Sequence, residues 1–199
     1  MEIVTNANTM QITYTARATF DPNDGETWNN YIDCSKLSHL AELVSLDISL
    51  NEPLEEIDWD SKDYWECCYA DPFNPYHTGL FTSLDYIFRN VIERRYFNLL
   101  AAVVAPVTDC KNLEVDGFEL LGYDLMGMDY GTSSLTNCGG FEGLISPADV
   151  NSVGLIDNYD RAYDIKKRLL ENNPGEHHAD TNVIALWRHK MIGRKDGGL

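Results

Sequence analysis

The chain has 199 residues and a formal net charge of −17. Residues 1–100 carry 17 acids and 6 bases, for −11, and residues 101–199 carry 15 acids and 9 bases, for −6. Both halves are acidic, so phosphate repulsion disfavours direct binding to nucleic acid or to an anionic membrane. The length suffices for one sizeable core. We therefore expect a single domain over residues 1–192 and a disordered tail over residues 193–199.

Cysteine usage and the termini indicate a cytoplasmic protein. The five cysteines are Cys34, Cys67, Cys68, Cys110 and Cys138. Their number is odd and none lie in a C-x-x-C, which is typical of neither a disulfide framework nor a zinc ribbon. The N-terminus shows no basic segment followed by an apolar run, so we expect no signal peptide. The longest apolar run, Leu99–Val107, is too short to span a bilayer.

The first fifty residues predict two strands and a helix. Apolar residues alternate from Met10 to Phe20, which predicts a half-buried strand that ends at a turn over residues 21–25. Thr27–Ile32 predicts a short helical turn, and Ser35 can cap a helix over Lys36–Leu43. The alternation of Leu46, Ile48 and Leu50 then predicts a second strand.

The rest of the chain mixes strands and helices without regular alternation. The pattern predicts a helix capped by Thr78 or Thr82 that ends near Arg94 and Arg95, followed by a strand or a helix continuation over Phe97–Val107. A strand over Val115–Met128 and a loop over Tyr130–Phe141 come next, and Ser146–Asp149 predicts a helix start. The last elements are a helix over Tyr159–Leu170 that buries Leu169 and Leu170, and a strand over Asn182–Met191. We therefore expect an α+β fold, a mainly antiparallel sheet with helices packed on it.

The stretch from Asn51 to His77 holds the densest charge. It contains eight acidic residues and a single cation, Lys62, and six aromatic residues lie among them. Disordered acidic segments are usually poor in aromatic residues, so this composition predicts an ordered surface. Two interpretations remain open. The rings can be core residues beneath a solvated acidic face, or they can anchor a basic partner to fixed acids.

The second interpretation gives specific candidates for partner binding. They are Glu55, Glu56, Asp58, Trp59, Asp60, Asp63 and Trp65. The hypothesis is a non-enzymatic protein-binding module, an inhibitor, immunity protein or nucleic-acid mimic that occludes a basic partner such as a nuclease toxin. This general profile, which no specific motif carries, is similar to that of bacterial toxin-neutralising proteins. An alternative is a non-catalytic subunit of a larger complex.

Another alternative is a hydrolase. Cys138 lies in a glycine-rich loop, and His177, His178 and Asp180 lie in another, so a nucleophile, a base and an orienting acid could meet in space. No local signature supports this, and tight turns also use glycine after cysteine. Metal binding by the adjacent histidines or by Cys67 and Cys68 lacks the usual ligand spacing.

Asp124, Asp129, Ser133 and Ser134 lie where a strand meets a glycine loop, a common place for functional groups. Turn chemistry explains them equally well and is the preferred interpretation. No phosphate-binding or dinucleotide-binding glycine motif occurs, so the sequence predicts no cofactor, no metal and no defined catalytic residue.

Overall fold

A four-stranded antiparallel sheet forms the centre of the fold. The computed structural model describes residues 10–47, 49–50, 60–69, 79–90, 97–127, 131–136, 145–176 and 179–192. The strands are β1 (Thr13–Ala18), β2 (Phe97–Val104), β3 (Phe118–Gly127) and β4 (Thr181–His189), arranged in the order β1-β2-β4-β3. Every neighbouring pair is antiparallel. The predicted α+β fold with a mainly antiparallel sheet is confirmed.

Four α-helices surround the sheet within the described ranges. They are α1 (Glu26–Ser35), α2 (Lys62–Cys67), α3 (Leu84–Asn90) and α4 (Tyr159–Asn172). The longest, α4, packs against β3 and β4 and buries Ala162, Ile165 and Leu169. Asn158 caps α4, because its Oδ1 accepts from the Arg161 amide at 2.9 Å. None of the helices among the described residues has the length and apolarity needed to cross a membrane.

Both faces of the sheet are covered. On one face, Leu100, Ala102 and Leu186 cluster with Val44 and other residues from outside the sheet. The opposite face belongs to the larger core, which includes the buried residues of α4. The prediction of a half-buried β1 is therefore wrong, since Thr13, Thr15 and Arg17 are buried as well as Ala16. The alternation in β1 reflects two different environments rather than core and solvent.

The segment after α1 is not the predicted helix over residues 36–43. The predicted strand is absent at residues 46–47 and 49–50, and Ile48 lies outside the described residues. Lys36 ends α1 in a left-handed conformation, with φ of 62°. The segment then bonds to distant backbone: the amides of Leu43 and Val44 donate to the carbonyls of Phe20 and Val153 at 2.8 and 3.0 Å. These partners satisfy the backbone polar groups without helix or sheet, and local periodicity carries no sign of them.

Several element boundaries differ from the prediction. The expected turn at Thr27–Ile32 is a ten-residue helix, α1. In α3 the cap is Ser83, whose Oγ accepts from the Tyr86 amide at 3.2 Å, whereas the Thr82 hydroxyl donates to the Cys67 carbonyl at 3.1 Å. Thr78, Arg94 and Arg95 lie outside the described residues.

The remaining elements follow the predicted order. The apolar run at Phe97 is a strand, not a helix continuation. The Ser146–Asp149 capping box forms a single 3₁₀ turn at Pro147–Asp149. Leu170, expected in the core, is 46% exposed because α4 turns only one stripe to the sheet. The tail over residues 193–199 lies outside the described residues.

Candidate functional site

The structure describes three of the seven predicted partner-binding residues. Asp60, Asp63 and Trp65 lie on or just before α2, and all three are exposed. Glu55, Glu56, Asp58 and Trp59 lie outside the described residues, and their role stays a prediction. Helix α2 itself is capped by Ser61, whose Oγ accepts from the Tyr64 amide at 3.0 Å.

The two aromatic residues of α2 occupy opposite environments. Tyr64 is fully buried, and its ring meets that of Phe81 at 6.1 Å in an edge-on arrangement. Trp65 is 64% exposed and contacts Tyr64 edge-on at 5.2 Å. Tyr64 therefore belongs to the core, as the first interpretation expects, whereas Trp65 belongs to the surface, where anchoring of a partner stays a prediction.

The charges around α2 are partly paired. The Asp63 carboxylate accepts from both terminal nitrogens of Arg89, at 3.0 and 3.3 Å. Lys62 contacts Glu66 at 2.8 Å one helical turn on. Exposed ion pairs of this kind contribute roughly 0–1 kcal/mol. Asp60, Asp63 and Glu66 against Lys62 and Arg89 give 3 acids and 2 bases, a net charge of −1.

A second polar cluster lies inside the molecule, around the carboxylate of Asp124. This residue is on β3 and is fully buried. It accepts hydrogen bonds from the hydroxyls of Ser45 and Ser133, at 2.6 and 2.5 Å, and from the Leu125 amide at 2.8 Å. Burial raises the pKa of Asp124 to about 6, the three donors oppose the rise, and the nearby charge of Asp47 adds to it.

Asp47 joins this cluster to the loop over residues 131–136. One carboxylate oxygen accepts from the Ser49 amide at 2.9 Å, and the other accepts from the Ser133 amide at 2.7 Å. The Thr136 hydroxyl lies 3.5 Å from the second oxygen. The cluster thus ties two loops to β3. The preference for turn chemistry at Ser133 is consistent with these bonds, and Asp129 lies outside the described residues.

Sequence reasoning missed Asp47. The predicted strand at Leu46, Ile48 and Leu50 directs attention to the apolar residues, yet Asp47 is only 7% exposed. The available signal was the alternation of Ser45, Asp47 and Ser49, since such short polar side chains bond to backbone amides two residues on. The Ser45 hydroxyl accepts from the Asp47 amide and the Asp47 carboxylate accepts from the Ser49 amide, as this pattern predicts.

The three free cysteines that the structure describes all have a pKa raised above the ordinary value. Burial raises the pKa of the Cys110 thiol to about 11, and burial also raises the pKa of Cys67 and Cys68. Since the thiolate is the nucleophile, all three are held in the unreactive form near neutral pH. Cys34 is disulfide-bonded, although the cysteine pattern is not typical of a disulfide framework. Spacing cannot reveal which distant thiols meet in a fold.

The hydrolase alternative stays a prediction, because Cys138, His177 and His178 lie outside the described residues. Within the part of the chain that the structure describes, no group of three or more His, Cys, Asp or Glu side chains could hold a metal ion.

Comparison with protein-family models, with curated proteins and with solved structures finds no match for this chain.

Proposed function

We propose that this chain is an acidic protein-binding module, of the inhibitor or immunity type, that occludes a basic partner such as a nuclease toxin. The observation that carries the proposal is the exposed ring of Trp65 on α2, beside the exposed acids Asp60 and Asp63. Tryptophan is among the residues most enriched at binding hot spots, where a ring fills a pocket of the partner.

The ring of Trp65 is positioned by the core beneath it. Tyr64 precedes it and is locked against Phe81, so the short helix is anchored at one residue and presents the next. An aromatic side chain has few rotatable bonds, and a ring already held by a neighbour loses little entropy on binding.

The net charge of −17 supports the choice of a basic partner. A field of one sign raises the association rate with an oppositely charged surface. The described residues around α2 contribute a net charge of only −1. The proposal therefore assigns steering to the acidic surface as a whole and to the predicted acids Glu55, Glu56 and Asp58, and it assigns affinity to Trp65.

A cytoplasmic location is part of the proposal. The odd number of cysteines and the free thiols of Cys67, Cys68 and Cys110 support it. The disulfide at Cys34 is the observation against it. Alkylation of thiols in intact cells before lysis, followed by mass spectrometry, decides: labelled Cys34 supports a reducing compartment, and unlabelled Cys34 contradicts it.

The test of binding is a pull-down from native lysate with the intact protein and two variants. Trp65→Ala removes the proposed anchor, and Leu170→Ala removes an exposed apolar side chain of α4 as the matched control. We expect a basic partner that elutes as salt rises to about 0.5 M, because ions screen exposed charges. Trp65→Ala should weaken binding roughly tenfold or more, because truncation of a hot-spot residue costs about 2 kcal/mol of binding free energy. Leu170→Ala should leave the affinity unchanged.

Charge reversal separates steering from anchoring. The double variant Asp60→Lys, Asp63→Lys should slow association, whereas Asp33→Lys with Glu176→Lys changes the net charge equally at other exposed sites. Equal effects of the two pairs would assign steering to the whole surface. A partner retained by Trp65→Ala with full affinity would contradict the assignment of α2 and favour the subunit alternative, through another exposed apolar residue such as Met191.

A further inference from the structure

A cavity of about 660 Å³ opens between α1, the segment after it and the loop over residues 131–136. Its volume lies within the range of small-molecule sites, roughly 300–1,000 Å³. The cavity shares no described lining residue with the surface around α2. It is therefore separate from the described part of the proposed protein-binding surface, at Asp60, Asp63 and Trp65.

The cavity wall has an apolar part. Phe20, Tyr31, Leu43 and Leu50 line it, and Leu43 and Leu50 are core residues. The Phe20 and Tyr31 rings meet edge-on with centroids 5.6 Å apart, and Trp28 packs against Phe20 from the core side at 5.2 Å. This arrangement suits an apolar or aromatic body of a ligand.

The polar part of the wall carries negative charge, and none of its described residues supplies a balancing cation. Asp24 and Asp47 line the cavity, and of its described lining residues none is Lys, Arg or His. The bonds that the Asp47 carboxylate accepts from described residues come from backbone amides and a hydroxyl, and none comes from a cation. Ser133 connects the two aspartates, because its hydroxyl donates to Asp124 and its amide donates to Asp47. Asp124 therefore adds to the negative electrostatic field at the cavity.

Hydroxyl groups complete the lining. They belong to Thr27, Ser49, Thr132, Ser133 and Thr136. A buried carboxylate in a partly apolar site attracts a cation more strongly than in water, because the local dielectric is lower. Ca²⁺ and Mg²⁺ take oxygen ligands and bound water, so neither would use the apolar part of the wall. The occupant that matches both parts of the wall is an organic cation.

We propose that this cavity binds a small organic cation, a primary ammonium on an aromatic or branched aliphatic body. The ammonium donates to the Asp47 carboxylate and to the threonine and serine hydroxyls near it. The body packs against Phe20, Tyr31, Leu43 and Leu50. Asp24 is exposed at the mouth of the cavity, where it attracts the ammonium and does not contact the apolar residues.

The test is calorimetric titration of the full chain with three amines and their alcohols. The probes are 2-phenylethylamine, tryptamine and 3-methylbutylamine, each against the alcohol of the same skeleton, and phenylacetate serves as the anion. We expect at least one amine to bind roughly tenfold or more tightly than its alcohol, with no binding of phenylacetate. No binding of any amine up to about 10 mM, or equal affinity for amine and alcohol, overturns the proposal.

Variants place the binding in this cavity. Thr27→Trp fills the mouth from an exposed position on α1, and Asn29→Trp adds the same ring on a different face of that helix. Thr27→Trp should abolish amine binding and Asn29→Trp should leave it unchanged. Asp24→Asn should weaken the amine and leave the alcohol unchanged, since an amide oxygen can still accept from the Asp21 amide. Amine binding that survives in Thr27→Trp overturns the assignment to this cavity.

Discussion

Two carboxylates, one fully buried and one partly buried, show how neighbours set the charge state of a residue. Burial raises the pKa of Asp124 to about 6, despite three hydrogen-bond donors. Burial also acts to raise the pKa of Asp149, but the amide and hydroxyl of Ser146 and the Arg161 guanidinium outweigh it and hold that pKa below its usual value. The Arg161 contact is 2.7 Å long. Among the described residues, Asp124 has no cation beside it comparable to Arg161 beside Asp149.

The raised pKa of Asp124 makes stability fall as pH rises. Between the unfolded pKa near 4 and the folded pKa of about 6, the folded state binds more protons than the unfolded chain. This contribution is therefore fully present below about pH 4 and lost by the time the pH has passed 6. Asparagine has nearly the shape of aspartate but does not titrate. We therefore expect the free energy of unfolding of Asp124→Asn, relative to that of the parent, to increase from pH 4 to pH 7. Urea unfolding at both pH values measures this.

Asp149→Asn is the control of opposite sign. Its lowered pKa stabilises the fold above the unfolded value near 4, and that stability disappears as pH falls through the folded pKa. The variant should therefore lose more stability at pH 7 than at pH 3. If both variants changed stability with pH in the same direction, the two environments would not differ as described.

At the scale of elements, a bulge in β3 lets a further segment pair with the sheet. The register shifts between Leu120 and Gly122, and Tyr123 then exchanges backbone hydrogen bonds of 2.8 and 2.9 Å with Ile156. Gly122 has φ of 144°, and a Cβ there would lie 2.8 Å from the Ile156 carbonyl oxygen. Glycine is required both by the backbone conformation and by the close approach of the segment at Ile156.

Gly122→Ala should destabilise the fold by about 2–4 kcal/mol, because conformational strain adds to a steric clash between the new Cβ and the Ile156 backbone, which cannot rotate away as a side chain can. The matched control is Gly175→Ala, where φ is 88° but nothing lies within 4 Å of the added Cβ. It should cost about 1 kcal/mol for the left-handed conformation alone. Denaturant unfolding of the two variants checks the difference, and equal losses would show that the approach of Ile156 imposes no constraint.

At the scale of the whole molecule, unbalanced charge is the main electrostatic feature. Most ion pairs among the described residues are exposed, such as Lys167–Glu171 at 3.8 Å, and contribute little. An exception is the Arg188–Glu42 pair, which is mostly buried and ties β4 to the segment after α1. With a net charge of −17, repulsion over the surface opposes folding.

We therefore expect sodium chloride to stabilise the protein. Raising it from about 0.02 M to about 0.5 M shortens the range of repulsion from roughly 20 Å to a few ångströms. The midpoint of thermal unfolding should rise by several degrees at pH 7, and the rise should shrink near the isoelectric point. A midpoint that falls with salt would mean that attractive pairs outweigh the repulsion.

The sequence alone determined the elements whose pattern is local and strong. Apolar runs and periodicity predict β2, β3, β4 and α4 near their observed positions, and the absence of regular alternation predicts the antiparallel sheet. These predictions succeed because burial on one stripe of a helix or along a strand repeats at a fixed spacing. Acidity likewise follows from composition and needs no fold.

Only the tertiary structure decided which neighbours meet. It buries Tyr64 and exposes Trp65, although both are aromatic residues on one short helix. It also binds the segment after α1 to backbone more than 100 residues away, at Ser152 and Val153, instead of letting a helix form. The Asp47 cluster and the cavity join segments from three parts of the chain. Such contacts depend on distance in space, which spacing along the sequence does not encode.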